Sequence, residues 1–235
     1  MSIIKDRQLQ ILLNQFELIS RNTLLQLAIF KQTLENPRSE ELLEEAMTNE
    51  TLIDRLEIKI REEVAFTIFK FSPMAEDLRR IMAYQDLTTN LERIGDLTLN
   101  GIRTAMDLDL TRPEFFRIKS LITEMLEEVT QMIRNAILSF TNRQLATAQA
   151  VIANDDTVDD KFREIRRSLA ETYSFRELTV EELTEAFRLD SLAHNLERCG
   201  DSATNIAESA IYLVGGRDIR HTHEELTPAA DQEPQ

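Results

Sequence analysis

Four pairs of acidic residues stand four apart in the chain: Glu92 with Asp96, Glu197 with Asp201, Glu50 with Asp54, and Asp155 with Asp159. On a helix that spacing puts both carboxylates on one face, with Cβ atoms roughly 5–6 Å apart. Like charges so placed repel unless a cation or a basic side chain sits between them. Two pairs brought together would make an all-oxygen site. Such a donor set suits hard, multiply charged ions such as Fe, Mn, Mg or Ca, and also admits Zn, far better than Cu(I) or an iron–sulfur cluster. Asn100 and Asn205, four residues beyond Asp96 and Asp201, could each add an amide oxygen. The same residues also fit a solvated acidic surface laced with arginine. Acids fill 42 of 235 positions, and pairs such as Glu40/Glu44 and Glu124/Glu128 have the same spacing.

Repetition sets the four pairs apart. At an offset of 105, residues 49–100 superimpose on 154–205 without a gap, with 16 identities in 52 positions. The stretch Asn90-Leu91-Glu92-Arg93-Ile94-Gly95-Asp96 returns as Asn195-Leu196-Glu197-Arg198-Cys199-Gly200-Asp201, and Asn100 matches Asn205. The chain is therefore two copies of one unit.

Periodicity and punctuation divide the chain into six helical blocks, three per copy. The first spans about residues 6–35 and stops at Asn36-Pro37. The second follows Ser39 and reaches about Phe71, and Ser72-Pro73 reads as the N-cap and first residue of a third that runs to about Leu108. The fourth opens on a capping-box spacing at Thr111 and Glu114 and ends near Phe140. The fifth covers about 142–173, and the sixth opens on a second capping box at Thr179 and Glu182 and stops at Gly215-Gly216. The expected fold class is all-α, two tandem three-helix bundles related by internal duplication. The first bundle spans 1–109 and the second 110–216, with a polar tail over 217–235. In the sixth block Leu192, Leu196, Cys199, Ala203, Ile206, Ala210 and Leu213 follow a 4-3 spacing, the seam of a left-handed bundle. Gly95 and Gly200 each cost about 1 kcal/mol in mid-helix relative to Ala, so they need a tertiary reason. At 100° per residue, Glu197 and Asp201 point away from the seam, which places the acidic pairs on the outer, solvent-facing side of the bundle.

Other reactive residue types carry less. His194 precedes Glu197 by three, the reverse of the Glu-x-x-His order of di-iron carboxylate bundles, and its counterpart is Thr89, so it reads as a surface or polar-contact histidine. His221 and His223 lie two apart in the tail, without support as ligands. Cys199 replaces Ile94 at a seam position and reads as a small buried residue rather than a nucleophile. There is no Gly-rich phosphate loop, no Ser/His/Asp arrangement and no Cys/His zinc spacing, so an enzyme is not indicated. A net charge of −15 disfavours nucleic acid and anionic lipid surfaces. A single cysteine, no leader-like start and no apolar run near 20 residues point to a cytoplasmic protein without a membrane span.

The residues resemble a known family, the PhoU phosphate-signalling proteins. The likeness rests on Pro73-Met74-Ala75-Glu76-Asp77-Leu78-Arg79-Arg80-Ile81, on Leu91-Glu92-Arg93-Ile94-Gly95-Asp96 and on Leu196-Glu197-Arg198-Cys199-Gly200-Asp201. It continues through Ala203-Thr204-Asn205-Ile206-Ala207-Glu208 and Ile211-Tyr212-Leu213-Val214 to Gly216-Arg217-Asp218, and covers about residues 3–221. The second copy departs from it at 179–184 and at Cys199. The resemblance implies pseudo-twofold bundles and an E/D-x-x-x-D motif that binds multinuclear iron or zinc. That role falls on Glu92, Asp96, Glu197 and Asp201, and by extension on Glu50, Asp54, Asp155 and Asp159. It further implies a homodimeric, non-enzymatic negative regulator of phosphate uptake, linking the ATPase subunit of a phosphate ABC transporter to a sensor histidine kinase. A di-iron-type carboxylate enzyme and a metal-free helical adaptor are the alternatives.

Overall fold

A computed structural model describes residues 2–74, 76–174 and 177–215. It contains six helices: α1 (Ser2–Glu35), α2 (Glu40–Phe71), α3 (Glu76–Met106), α4 (Phe116–Thr141), α5 (Leu145–Tyr173) and α6 (Val180–Gly215). A single 3₁₀ turn, Pro113–Phe115, leads into α4. The described residues contain no strand, in keeping with the scarcity of the turn formers Gly and Pro. None of their helices is long and apolar enough to cross a membrane. The tail over 217–235, with His221 and His223, lies outside the described residues.

The caps show which sequence signals the backbone uses. Ser39 caps α2 by accepting a hydrogen bond from the Leu42 N–H. At α6 the capping box is reciprocal: Glu182 accepts from the Thr179 N–H at 3.0 Å, and the Thr179 hydroxyl accepts from the Glu182 N–H at 3.2 Å. Ser72 is not the N-cap expected of it. It is the C-cap of α2 in the left-handed region (φ 42°), its N–H bonded to the Ile68 carbonyl, and α3 begins only at Glu76. The terminal carbonyls of α2 are the nearer claim on that residue. The box expected at Thr111 and Glu114 does not form either. Asp109 takes both the N–H and the hydroxyl of Thr111 in a local turn, and Glu114 pairs with Arg112. Residues 142–144, expected in the fifth helix, cap α4 and turn the chain, with Arg143 at φ 54°.

Within each copy the three helices pack on one another, and α3 packs along α6 more extensively than any other pair of helices does. Every residue of the predicted α6 seam is buried. The Cys199 thiol rests against the Ile94 carbonyl, its own counterpart in the first copy, at 3.9 Å. Early α3 residues (Asp86, Thr89, Asn90) share a recess of about 180 Å³ with late α6 residues (Asn205, Ser209). The helices therefore cross antiparallel at a pseudo-twofold. Phe16, Tyr84 and Phe140, from α1, α3 and α4, form an aromatic triad with centroids 5.3–5.6 Å apart that joins the halves. Leu108, Leu110 and Phe115 bury the connection between them.

Candidate metal centre

α2 and α3 position the first set of acids, and α5 and α6 the second. Along α2, Ile53, Leu56 and Ile60 face the core while Asp54 is exposed, and Glu50 turns inward with 7% of its surface accessible. The reason lies across the interface. Gly95 of α3 offers no side chain there, and a Cβ at that position would stand 2.9 Å from Glu50 Oε2 and 3.0 Å from Ile53 Cδ1. The mid-helix glycine is therefore the floor on which the Glu50 carboxylate lies. Both Glu50 oxygens are buried and neither has a hydrogen-bond partner. Burial pushes the carboxyl up to about 8, and Asp54, Asp96 and Glu92 push it the same way, with Arg103 opposing. Glu92 is raised too, by burial first and then by Asp96, Asp54 and Glu57. All four predicted acids of the first half thus share one electrostatic neighbourhood.

The second half repeats this with altered detail. Burial is the leading cause of the upward shift at Asp155, Glu197 and Asp201, and each is raised further by its neighbours in the set Asp155, Asp159, Glu197, Asp201. Gly200 is less tightly filled than Gly95: a Cβ there would meet Val158 Cγ1 at 3.3 Å and Asp155 Oδ1 at 3.7 Å. Glu197 Oε2 is buried without an aligned hydrogen bond, although His194 Nδ1 stands 3.2 Å away. Arg93, His194 and Arg198 oppose the upward shift of Asp201, so an arginine of the first copy acts on the second copy's acids.

The eight acids thus form two quartets, one per copy. Each descends from an exposed rim, where Asp54, Asp96 and Asp201 lie, to an inner end at Glu50 or at Asp155 and Glu197. They are not confined to an outer face, as the helical wheel of α6 alone implies, because that face packs on α5. Among the described residues no three His, Cys, Asp or Glu side chains are gathered to hold a metal as they stand. Asn205 lines the α3–α6 recess, and Asn100 is exposed.

The residues fit a cation. Buried carboxylate oxygens lack partners in each half, Gly95 makes room for one of them, and the donors are oxygens of the kind hard cations take. Two neighbours escape the sequence reading. Glu57, 8% exposed and paired with Arg61, adds a fifth acid beside Glu92. Its 4-3 spacing from Glu50 and Asp54 is the available signal, but the second copy has Phe162 there, so comparison of the copies discards it. Phe162 stacks on His194, with centroids 5.8 Å apart and rings inclined at 28°.

The family model described as PhoU domain matches residues 17–105 and 122–210. A phosphate-specific transport system accessory protein PhoU homolog of Aquifex aeolicus is 34% identical over 208 residues, 88% of this chain and 92% of that protein. A protein of the same description from Xylella fastidiosa strain Temecula1 is 33% identical over 182 residues, covering 77% of this chain and 73% of its own. The crystal structure of PhoU from Pseudomonas aeruginosa is similar at a TM-score of 0.80 and 25% identity, over 90% of this chain and 99% of that one.

Proposed function

The chain belongs to the PhoU family, and on that premise we propose that it is a non-enzymatic, cytoplasmic regulator of phosphate uptake whose two carboxylate quartets bind iron, zinc or a similar divalent ion. Glu50, Asp54, Glu92 and Asp96 would hold metal in the first half, and Asp155, Asp159, Glu197 and Asp201 in the second. The observation that carries the metal reading is Glu50: a carboxylate 7% exposed, with both oxygens unpartnered, seated against Gly95. Leaving such a group unmatched costs about 1–3 kcal/mol, more if it is charged, and a bound cation removes that cost. The regulatory reading is supported by relatives described as accessory proteins of phosphate-specific transport, matched over most of their length.

In this proposal the protein works by contact, as a dimer, with a transporter's ATPase subunit on one side and a sensor histidine kinase on the other. Exposed Phe69 and Met74 beside the α2–α3 turn, and Val180 and Phe187 on α6, supply apolar surface for such partners. The test is genetic. A strain lacking this chain is expected to express its phosphate-uptake genes at high phosphate, and the intact chain to restore repression. Unchanged expression in the deletion strain contradicts the regulatory reading.

A further inference from the structure

The two quartets are built on one plan but differ in what stands beside them. In the first half the neighbour is Glu57, a buried fifth carboxylate on α2 that acts on Glu92. At the equivalent place in the second half is Phe162, and against its ring lies His194, whose own counterpart is Thr89. The stack fixes the imidazole at the quartet's edge, one turn before Glu197. Two ligands of one ion at about 2.0–2.2 Å stand roughly 3.0–3.4 Å apart when they subtend a square or tetrahedral angle. The His194 Nδ1 to Glu197 Oε2 separation, 3.2 Å, is that edge. The oxygen concerned is the buried one with no aligned hydrogen bond.

We propose that His194 is a nitrogen ligand of the second centre, so that the two centres have diverged in ion preference. The first is an all-oxygen, five-acid centre suited to hard ions such as Mn²⁺, and the second a mixed nitrogen–oxygen centre that favours Zn²⁺ and other borderline ions. Phe162 is a positioning residue whose ring holds the half-exposed imidazole toward Glu197. This rests on the carboxylate reading above and adds a selectivity that reading does not contain.

The experiment uses the full chain with His221→Gln and His223→Gln, so that His194 is the remaining imidazole. Zn²⁺ and Mn²⁺ affinities are measured by calorimetry in two backgrounds. One disables the first centre (Glu50→Gln, Asp54→Asn, Glu92→Gln, Asp96→Asn), and the other disables the second (Asp155→Asn, Asp159→Asn, Glu197→Gln, Asp201→Asn). Loss of even an outer-shell partner lowers metal affinity about 10–100-fold, so His194→Asn in the first background is expected to weaken Zn²⁺ at least about 10-fold. Mn²⁺, which gains less from nitrogen, should change less than about 3-fold. Preference for Zn²⁺ over Mn²⁺ should be lower in the second background. Equal loss for both ions, or no change for either, overturns the proposal while leaving the carboxylate reading standing. Absence of binding in both backgrounds removes that reading and the proposal with it. Should the multiply substituted chains fail to fold, Co²⁺-loaded protein with all eight acids intact decides. A strongly shifted, exchangeable imidazole proton is expected, and its absence overturns the assignment.

Discussion

Glu50 shows how far burial among like charges can move a single side chain. Its carboxyl titrates near 8 in the folded chain against an ordinary value near 4.5, because burial and three neighbouring acids disfavour its charge. The sign follows from linkage. Between those values the unfolded chain has released a proton that the folded chain still holds, so stability from this group is full below about 4.5 and is lost as pH rises to about 8. Glu92, Asp155, Glu197 and Asp201 are shifted in the same direction. Chelated protein is therefore expected to lose thermal stability from about pH 4.5 to about pH 8, and protein with bound divalent ion to lose less or gain, since the cation replaces the protons. Melting curves in chelator and in metal check this, and parallel curves contradict it. Glu50→Gln should stabilise chelated protein by about 1–3 kcal/mol at the alkaline end by removing the buried charge. Cys199 makes a simpler case: burial pushes its thiol up to about 12, so it should react with thiol reagents only after unfolding.

At the scale of elements, the mid-helix glycines are where sequence and structure explain each other. Gly95→Ala gains helix propensity but places a methyl 2.9 Å from Glu50 Oε2 and 3.0 Å from Ile53 Cδ1. It is expected to destabilise by about 1–3 kcal/mol and to displace the carboxylate. Gly200→Ala meets nothing nearer than Val158 Cγ1 at 3.3 Å and should cost less. Urea titrations of the two variants check the order, and equal effects contradict it. The duplication, the six helices and the α6 seam were all legible, because period and repeat depend on residue type alone. The caps at Ser72 and Thr111 were not: each hydroxyl or backbone group had a nearer competitor, the end of α2 in one case and Asp109 in the other. Glu57 and the Phe162–His194 stack also escaped, because repeat comparison keeps what the copies share and these are where they differ.

At the scale of the molecule, the halves are parts of one folded body. The antiparallel α3–α6 contact, the Phe16–Tyr84–Phe140 triad and the Lys31–Glu127 ion pair at 2.6 Å all cross between the copies. Unfolding is expected to be a single cooperative transition. Tyr84→Ala, which removes a side chain 2% exposed from the centre of the triad, should lower stability by about 3–5 kcal/mol and leave one transition. Two separated transitions in the intact chain contradict that coupling. Arg93 of the first copy also acts on Asp201 of the second, so a charge of one copy reaches the other copy's quartet across the pseudo-twofold. Under the proposed function, eight of the 42 acids take up cations in two quartets. The most direct measurement is the metal content of protein purified without chelator, beside a variant with all eight acids replaced by their amides. Bound iron, zinc or a similar divalent ion is expected in the intact protein, and its loss in the variant. Equal metal in both would contradict it.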